Sequence, residues 1–428
     1  MSTLLQSMST GFDALARRDA GGLESVRRAA LDKALAHGLP TTRNECWKYT
    51  SLRALERRAF APVATLPAFD ASAIALPSAP RLVFANGVFA PALSDVSGLP
   101  DGIQLRPLSH ALAHDAPQDL AFLARRYDAA DETFAQLNAA LATEGVVLRA
   151  APGIRCQTPI HLIFIGTAQA ADSAFALRHL IELREAAELA LVEHHIALGE
   201  HANLANTIAQ IHMKPGAGLS HLRIQHDAPA ATHILRTDAV LAREADYRRL
   251  DLELGANLSR HELNVALHGT GAKAHANGVL LGDGKRHLDT RLGIDHVARD
   301  TACLLEWRGL AAQRSRAVFH GGILIREGAD GTDARLSNKN LLLSNDAEID
   351  TQPVLEIHAD EVQAAHGATV GSLDPTALFY LRSRGLPQMQ ARSLLTAAFC
   401  REVVGIFGDS ALRAAAESAL DARMGDLA

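Results

Sequence analysis

Apolar positions change their spacing several times along this chain of 428 residues. In residues 1–60, Leu4, Leu5, Phe12, Leu15, Leu23, Val26, Ala30, Leu31 and Leu35 fall at roughly helical spacing, and Gly38 and Pro40 stop the run. A second helical piece is expected over Trp47 to Phe60, then a linker rich in Ala and Pro from Ala61 to Pro80. From Arg81 the pattern turns to strands: Leu82-Val83-Phe84 and Val88-Phe89 flank Asn86-Gly87, a pair suited to a tight hairpin turn. A helix carrying Phe134, Leu137 and Leu141 should end near Gly145, before strands at Val146–Leu148 and Ile160–Ile165.

Between about 180 and 372, short apolar strands alternate with corners of Gly, Asn, Asp and His. Ile181–Leu183, Leu189–Val192, Ile208–Ile211, Leu250–Leu254, Ile323–Ile325 and Val354–Ile357 are examples. A loose corner motif recurs at His201–Leu204, Gly216–Ser220 and Gly255–Ser259. No long helical pattern separates the strands, which disfavours a doubly wound α/β sheet. The repeating corners favour a β-solenoid whose apolar positions stack turn on turn, with a β-sandwich as the alternative because the period is irregular. Helical segments on both sides would cover the open ends of such a solenoid.

The C-terminal part returns to helical spacing. Asp374-Pro375 sets an N-cap with Pro at the first helical position; Leu378 and Leu381 form one face, and Gly385 and Pro387 end the helix. A second helix carries Leu394, Leu395, Ala398, Phe399, Val403 and Ile406 and ends at Gly408. A third, opening near Asp409-Ser410, carries Leu412, Ala416, Leu420 and Met424. These faces suit either the core or a partner helix, with core the default. The expected architecture is mainly β: a helical domain and linker over 1–75, a solenoid over 76–372 with a small α/β lead-in at 76–165, and a helical domain over 373–428.

Composition narrows the function. A net charge of −6 gives no basic surface for nucleic acid or an anionic membrane, and 4% aromatic content leaves few stacking platforms. Neither a secretory signal nor a membrane-length apolar run is visible, and Cys46, Cys156, Cys303 and Cys400 form no CxxC pair. Reduced thiols in a cytoplasmic protein are expected. There is no Walker A sequence, since Gly284-Lys285 is followed by Arg286, so the chain should not hydrolyse ATP. Gly269-Thr270-Gly271 mimics a dinucleotide loop but leads into a strand. HExxH and GxSxG are absent. Among the 20 histidines, His194, His195, His287 and His296 lie in or beside strands near carboxylates and read as hydrogen-bonded structural residues.

The segment Leu355 to Gly371, containing His366-Gly367-Ala368-Thr369-Val370-Gly371, runs on into Phe379-Tyr380-Leu381-Arg382-Ser383-Arg384-Gly385. It closely resembles the SufB/SufD family, and within it the SufD branch. Phe319–Ile323, Asn338–Ser344, Asp350–Pro353 and Glu45–Thr50 fit the same family. The resemblance implies a right-handed parallel β-helix between helical domains. It also implies a cytoplasmic, non-catalytic scaffold for iron–sulfur cluster assembly, partnered by SufB and by SufC, an ABC-type ATPase, and a homodimer when alone. No tightly bound cofactor is implied, only a transient cluster shared with SufB. His366 matches the histidine that acts at the SufB interface, as a transient ligand of iron or cluster; imidazole replaces thiolate in Rieske centres. The C-terminal helices would dock SufC, through Phe379, Tyr380, Arg382, Arg384, Leu394 and Phe399. Family members often carry Cys two residues before the histidine; here that position is Ala364, so a thiolate would have to come from SufB. Cys303 and Cys400 read as buried and inert. The competing readings are a polysaccharide-acting β-helix enzyme, which would need an acid pair and sugar-stacking aromatics, and a homodimeric structural solenoid.

Overall fold

In the computed structural model, which describes residues 1–15, 22–408 and 410–427, the alternating segments form two ten-stranded sheets laid face to face. One sheet contains β4 (Ile103–Pro107), β5 (Val146–Ala150), β7 (Ser173–Leu183), β9 (Leu204–Met213), β11 (Thr232–Leu241), β13 (Leu258–Leu267), β15 (His287–His296), β17 (Arg316–Ile325) and β19 (Glu348–Ile357), with β1 (Ala61–Pro62) beside β7. The other contains β2 (Arg81–Ala85), β3 (Val88–Phe89), β6 (Arg155–Thr167), β8 (Glu188–Leu198), β10 (Gly218–His226), β12 (Asp246–Glu253), β14 (Lys273–Gly282), β16 (Ala302–Ala311), β18 (Asp333–Leu342) and β20 (Gln363–Gly371). Successive strands change sheet and each pairs in parallel with its equivalent one turn on. The result is the expected parallel β-solenoid, of about eight turns.

Register is kept strictly along the stack. Leu204 pairs with Thr232, and the column continues through Leu258, His287 and Arg316 to Glu348. Because side chains alternate across a strand, each inward position forms a continuous row through the lumen. Part of that lumen is an apolar core; Ile211, Leu241, Leu267, Leu292, Trp307 and Phe319 lie in it. Trp307 is wholly buried and its indole N–H donates to the Ala276 carbonyl at 2.9 Å.

The strands are longer than their apolar cores suggest: Ile181–Leu183 is only the end of β7. Polar inward residues continue the ladder where apolar ones stop. The recurrent corner motif proves to sample two corners. His201–Leu204 and Gly255–Ser259 lead into β9 and β13 of one sheet, while Gly216–Ser220 leads into β10 of the other, which explains the irregular period. At the corner entering the β10 sheet, Ala186, Gly216, Glu244, Gly271, Asp300 and Gly331 all have positive φ. Each sends its N–H to a carbonyl of the next turn, at 2.7–3.4 Å.

Helices cover the two outer faces. α1 (Thr3–Asp13), α2 (Glu24–His37) and α4 (Thr133–Leu141) pack with Trp47, Leu52 and Phe60. Leu204, Ile234 and Leu258 of one sheet join the same cluster. α3 (Leu108–His114), with no counterpart in the sequence pattern, packs through Leu108 and Leu112 beside Val147. The helix expected over Trp47–Phe60 is instead two short 3-10 turns, Glu45–Trp47 and Leu55–Arg57. Side-chain ties replace the helical ladder here: the Trp47 indole donates to the Asp131 carbonyl at 3.1 Å beneath the Arg260 guanidinium, and Thr50 donates to Asp289. The Asn86-Gly87 hairpin forms as expected, with both residues at positive φ.

On the opposite face, α6 (Gln388–Arg401) and α7 (Ala411–Leu427) pack with the turn at Val404–Phe407 over Val192, Leu222, Leu250, Val279 and Leu310. The expected opening of the third helix at Asp409 lies outside the described residues. Leu412, Ala416, Leu420 and Met424 are core. α5 (Pro375–Ser383) is capped by Asp374, whose carboxylate accepts from the Thr376 N–H at 2.8 Å, and it buries no residue. Among the described residues no helix is long and apolar enough to cross a membrane.

The left-handed corner residues give a stability prediction. Gly216 has φ +69, and a Cβ there meets only ordinary contacts, so Gly216→Ala isolates the backbone cost. It should lower stability by about 1 kcal/mol, read as a lower urea midpoint with unchanged slope.

Candidate functional site

The solenoid ends differently at its two ends. At the N-terminal end, β3 and β4 run antiparallel to their neighbours and close the sheets with short strands. At the C-terminal end, β19 and β20 pair on one side only. Their free edges present unpaired backbone donors and acceptors, and their inward residues have no further turn above them. Leu355 and Ile357 stand over the buried Ile323 and Ile325, yet Ile357 is exposed.

His366 lies on this last strand. It pairs with Leu336, which pairs with Leu305, and both of those side chains belong to the lumen core. The imidazole therefore occupies a core register and is exposed only because the stack stops there. His366-Gly367 sits within β20, not at a corner. A Cβ built on Gly367 meets nothing within 4 Å, so the isolated fold does not require glycine beside this histidine.

Ala364 tops a neighbouring row, above Ala334 and then Cys303. Cys303 is buried, its Sγ lies 3.3 Å from Nε2 of His296, and burial pushes its thiol up to about 12. Cys400 is a buried residue of α6 and its thiol is likewise pushed up by burial. Neither supplies an accessible thiolate near His366.

The residues proposed to dock SufC divide into two groups. Phe379 (70% exposed), Tyr380 (54%) and Leu394 (48%) form an unusual run of exposed large apolar groups on α5 and α6. Arg382 and Arg384 are exposed beside them, with the Arg384 guanidinium 3.1 Å from the Tyr380 hydroxyl. Phe399 is half-buried under Arg308 and belongs to the packing of α6 on the sheet.

The sequence pattern did not reveal a charged stripe inside the lumen. Glu193, His221, Arg223, Arg249, Asp251, Glu253 and His261 are all buried. His221 bridges Glu193 at 3.0 Å and the Tyr247 hydroxyl at 3.1 Å. Arg249 donates to Tyr247 at 3.0 Å and grips Asp251 with two bonds of 2.8 Å, and Arg223 pairs with Glu253. Burial alone would raise the Glu193 carboxyl, but His221 and His195 hold it well below the usual range; burial pushes Tyr247 up to about 12. The signal was present in strands such as Asp246–Glu253, where polar residues recur at the same two-residue period as inward apolar ones. The other histidines singled out from the sequence are paired: His194 with His161 at 3.0 Å, His287 with Thr50 at 2.8 Å, and His296 with Thr301 at 2.8 Å.

Comparison with known proteins bears on this geometry. The family model "SUF system FeS cluster assembly, SufBD core domain" matches residues 164–399, and "SufBD protein N-terminal region" matches 3–162. The Escherichia coli iron–sulfur cluster assembly protein SufD is 31% identical over 402 residues, 90% of this chain and 89% of that one. A Synechocystis iron–sulfur cluster assembly SufBD family protein is 31% identical over 396 residues, 89% of this chain and 87% of that one. The chloroplastic protein ABCI7 of Arabidopsis thaliana is 24% identical over 91% of this chain and 84% of its own.

The buried histidines imply a pH dependence. Burial pushes His179, His287 and His296 down to about 4. Between pH 6.5 and 4 the unfolded chain therefore takes up protons that the folded chain refuses, and stability falls as pH drops through that window. The urea midpoint at pH 5 should lie below that at pH 7.5; an unchanged midpoint would contradict the burial of these rings.

Proposed function

Since this chain belongs to the SufBD family of iron–sulfur cluster assembly proteins, we propose that it acts as the SufD-type scaffold of a cytoplasmic complex with SufB and SufC. In that reading it contributes His366 to a cluster assembled at the SufB interface. The observation that carries this reading is the open terminal turn. Two long strand edges, unsatisfied lumen residues and an imidazole in a core register all face outward together. A second solenoid of the same family, docking end to end or edge to edge, would satisfy the ladder and cover Ile357 and Val370. In isolation a second copy of this chain would take the same place, giving a homodimer.

His366 would be one ligand of a nascent cluster. An imidazole is a weaker anchor for iron–sulfur clusters than thiolate, which suits a cluster that must leave. Ala364 has no donor atom and Cys303 is buried with a raised pKa, so the thiolate would come from SufB. The chain would perform no turnover of its own, and ATP hydrolysis would reside in SufC. α5 is the natural SufC contact: a short helix that buries nothing gains little stability alone and gains more against a partner. Phe379 and Tyr380 are the anchors in this reading.

Removing everything after Gly385 would strip Cys400, Val403, Leu412 and Leu420 from the sheet, so point substitutions test docking more cleanly. Co-expression with SufB and SufC should yield a stable complex. Phe379→Asp should leave the unfolding free energy from urea titration within about 0.5 kcal/mol of wild type and weaken SufC capture about tenfold or more; full SufC affinity would remove α5 from the interface. His366→Ala should leave the complex assembled while lowering iron and sulfide content after anaerobic purification. Unchanged cluster yield would return His366 to a structural role.

A further inference from the structure

Two histidines and an aspartate converge where β10 hands over to β11, at a corner remote in sequence from the terminal turn. His195 comes from β8 in one sheet, His233 from β11 in the other, and Asp227 directly follows β10. One ring nitrogen of each histidine and one Asp227 carboxylate oxygen lie within 4.8 Å of one another. The imidazoles are buried, with centroids 4.6 Å apart, while the Asp227 side chain keeps 11% exposure, giving the group a path to solvent.

Three observations separate this group from the paired histidines elsewhere. Nδ1 of His233 lies 3.0 Å from Asp227 Oδ2, but its Nε2 is buried with no hydrogen-bond partner. Nδ1 is thus the nitrogen that faces Asp227, and binding an ion would release the proton the two share and leave Nδ1 and the carboxylate to ligate it. Asp227 is itself oriented: the Gln225 amide donates to Oδ2 at 2.9 Å, and the Gln225 oxygen is fixed by the Gly255 N–H, also at 2.9 Å. That is the supporting shell that metal-binding carboxylates and imidazoles need. Finally, His201, on which Asp227 acts electrostatically, turns its Nε2 towards the Gly166 backbone. It sits against Gly166, where a Cβ would come within 2.3 Å of that nitrogen.

Two imidazoles and a carboxylate are the donor set of zinc and of ferrous iron. Bonds of about 2.1 Å in tetrahedral geometry place donors about 3.4 Å apart, so side-chain rotations moving each donor by about 1 Å would close the group on an ion. We propose that His195, Asp227 and His233 form a binding site for one divalent ion of the zinc or ferrous type, clasping the two sheets of the solenoid across its lumen. The site is separate from His366 and does not depend on cluster assembly.

Titrating metal-stripped full-length protein with Co(II) tests this. Visible absorption bands of low-coordinate Co(II) should saturate at about one ion per chain, vanish on adding Zn(II), and accompany a rise in Tm. Asp227→Asn and His233→Gln should each abolish the bands, and His366→Ala should keep them. The surface pair His110 and His114, with ring centroids 4.2 Å apart, is the obvious competitor. Bands that survive both site variants, or that disappear with His110→Ala, overturn the proposal. Should the site variants fail to fold, zinc-edge anomalous diffraction from Zn(II)-soaked wild-type crystals decides it. A peak between the three side chains supports the site, and no peak there refutes it.

Discussion

A parallel ladder stacked turn on turn as a solenoid does not close on itself, and most features of this molecule follow from that constraint. Each turn satisfies the backbone of the turn before it, from the strands beside β2 and β5 up to β20. The chain closes the first end with strands that reverse direction. At the last end it leaves two strands of nine and ten residues with bare edges. An edge of that length with apolar inward residues is an aggregation hazard unless a specific partner occupies it. The exposed His366 and the half-covered Leu355 belong to that same unfinished surface.

The lumen shows a second balance. A buried arginine or glutamate alone would be costly, yet Arg249 is held by Asp251 on its own strand, and Arg223 by Asp251 and Glu253 of the next turn. Replacing one member would strand its partner, so the stripe fixes the register of β8, β10, β12 and β13 more strictly than apolar packing could. Apolar rows tolerate a slip of one turn; a row of matched charges does not.

Much of this was legible from residues alone. Short apolar segments without intervening helices pointed to stacked strands, and the Asp374-Pro375 cap and the Asn86-Gly87 turn formed where their chemistry placed them. The stretch around His366 named the family. What stayed hidden depends on contacts distant in sequence. Trp47 and Thr50 trade a helix for bonds to Asp131 and Asp289, and no local pattern records that exchange. The charged lumen was overlooked because polar residues in strands ordinarily face water. The convergence of His195 with His233 needs the register between sheets. Exposure of His366 follows from where the stack stops, which is a property of the whole solenoid.

The constant register of the stack makes the solenoid a ruler. α6 and α7 rest on strands from β8 to β16, while His366 sits on β20, two strands further along the same sheet. With strands about 4.8 Å apart, that interval is roughly 10 Å. Inserting or deleting a whole turn between β16 and β20 would leave the helices seated and every surviving pair in register. It would still shift the imidazole by one strand spacing relative to anything docked on the helices. The number of turns is thus a dimension of the assembly, set in discrete steps by the chain and readable by any partner that must touch both places at once.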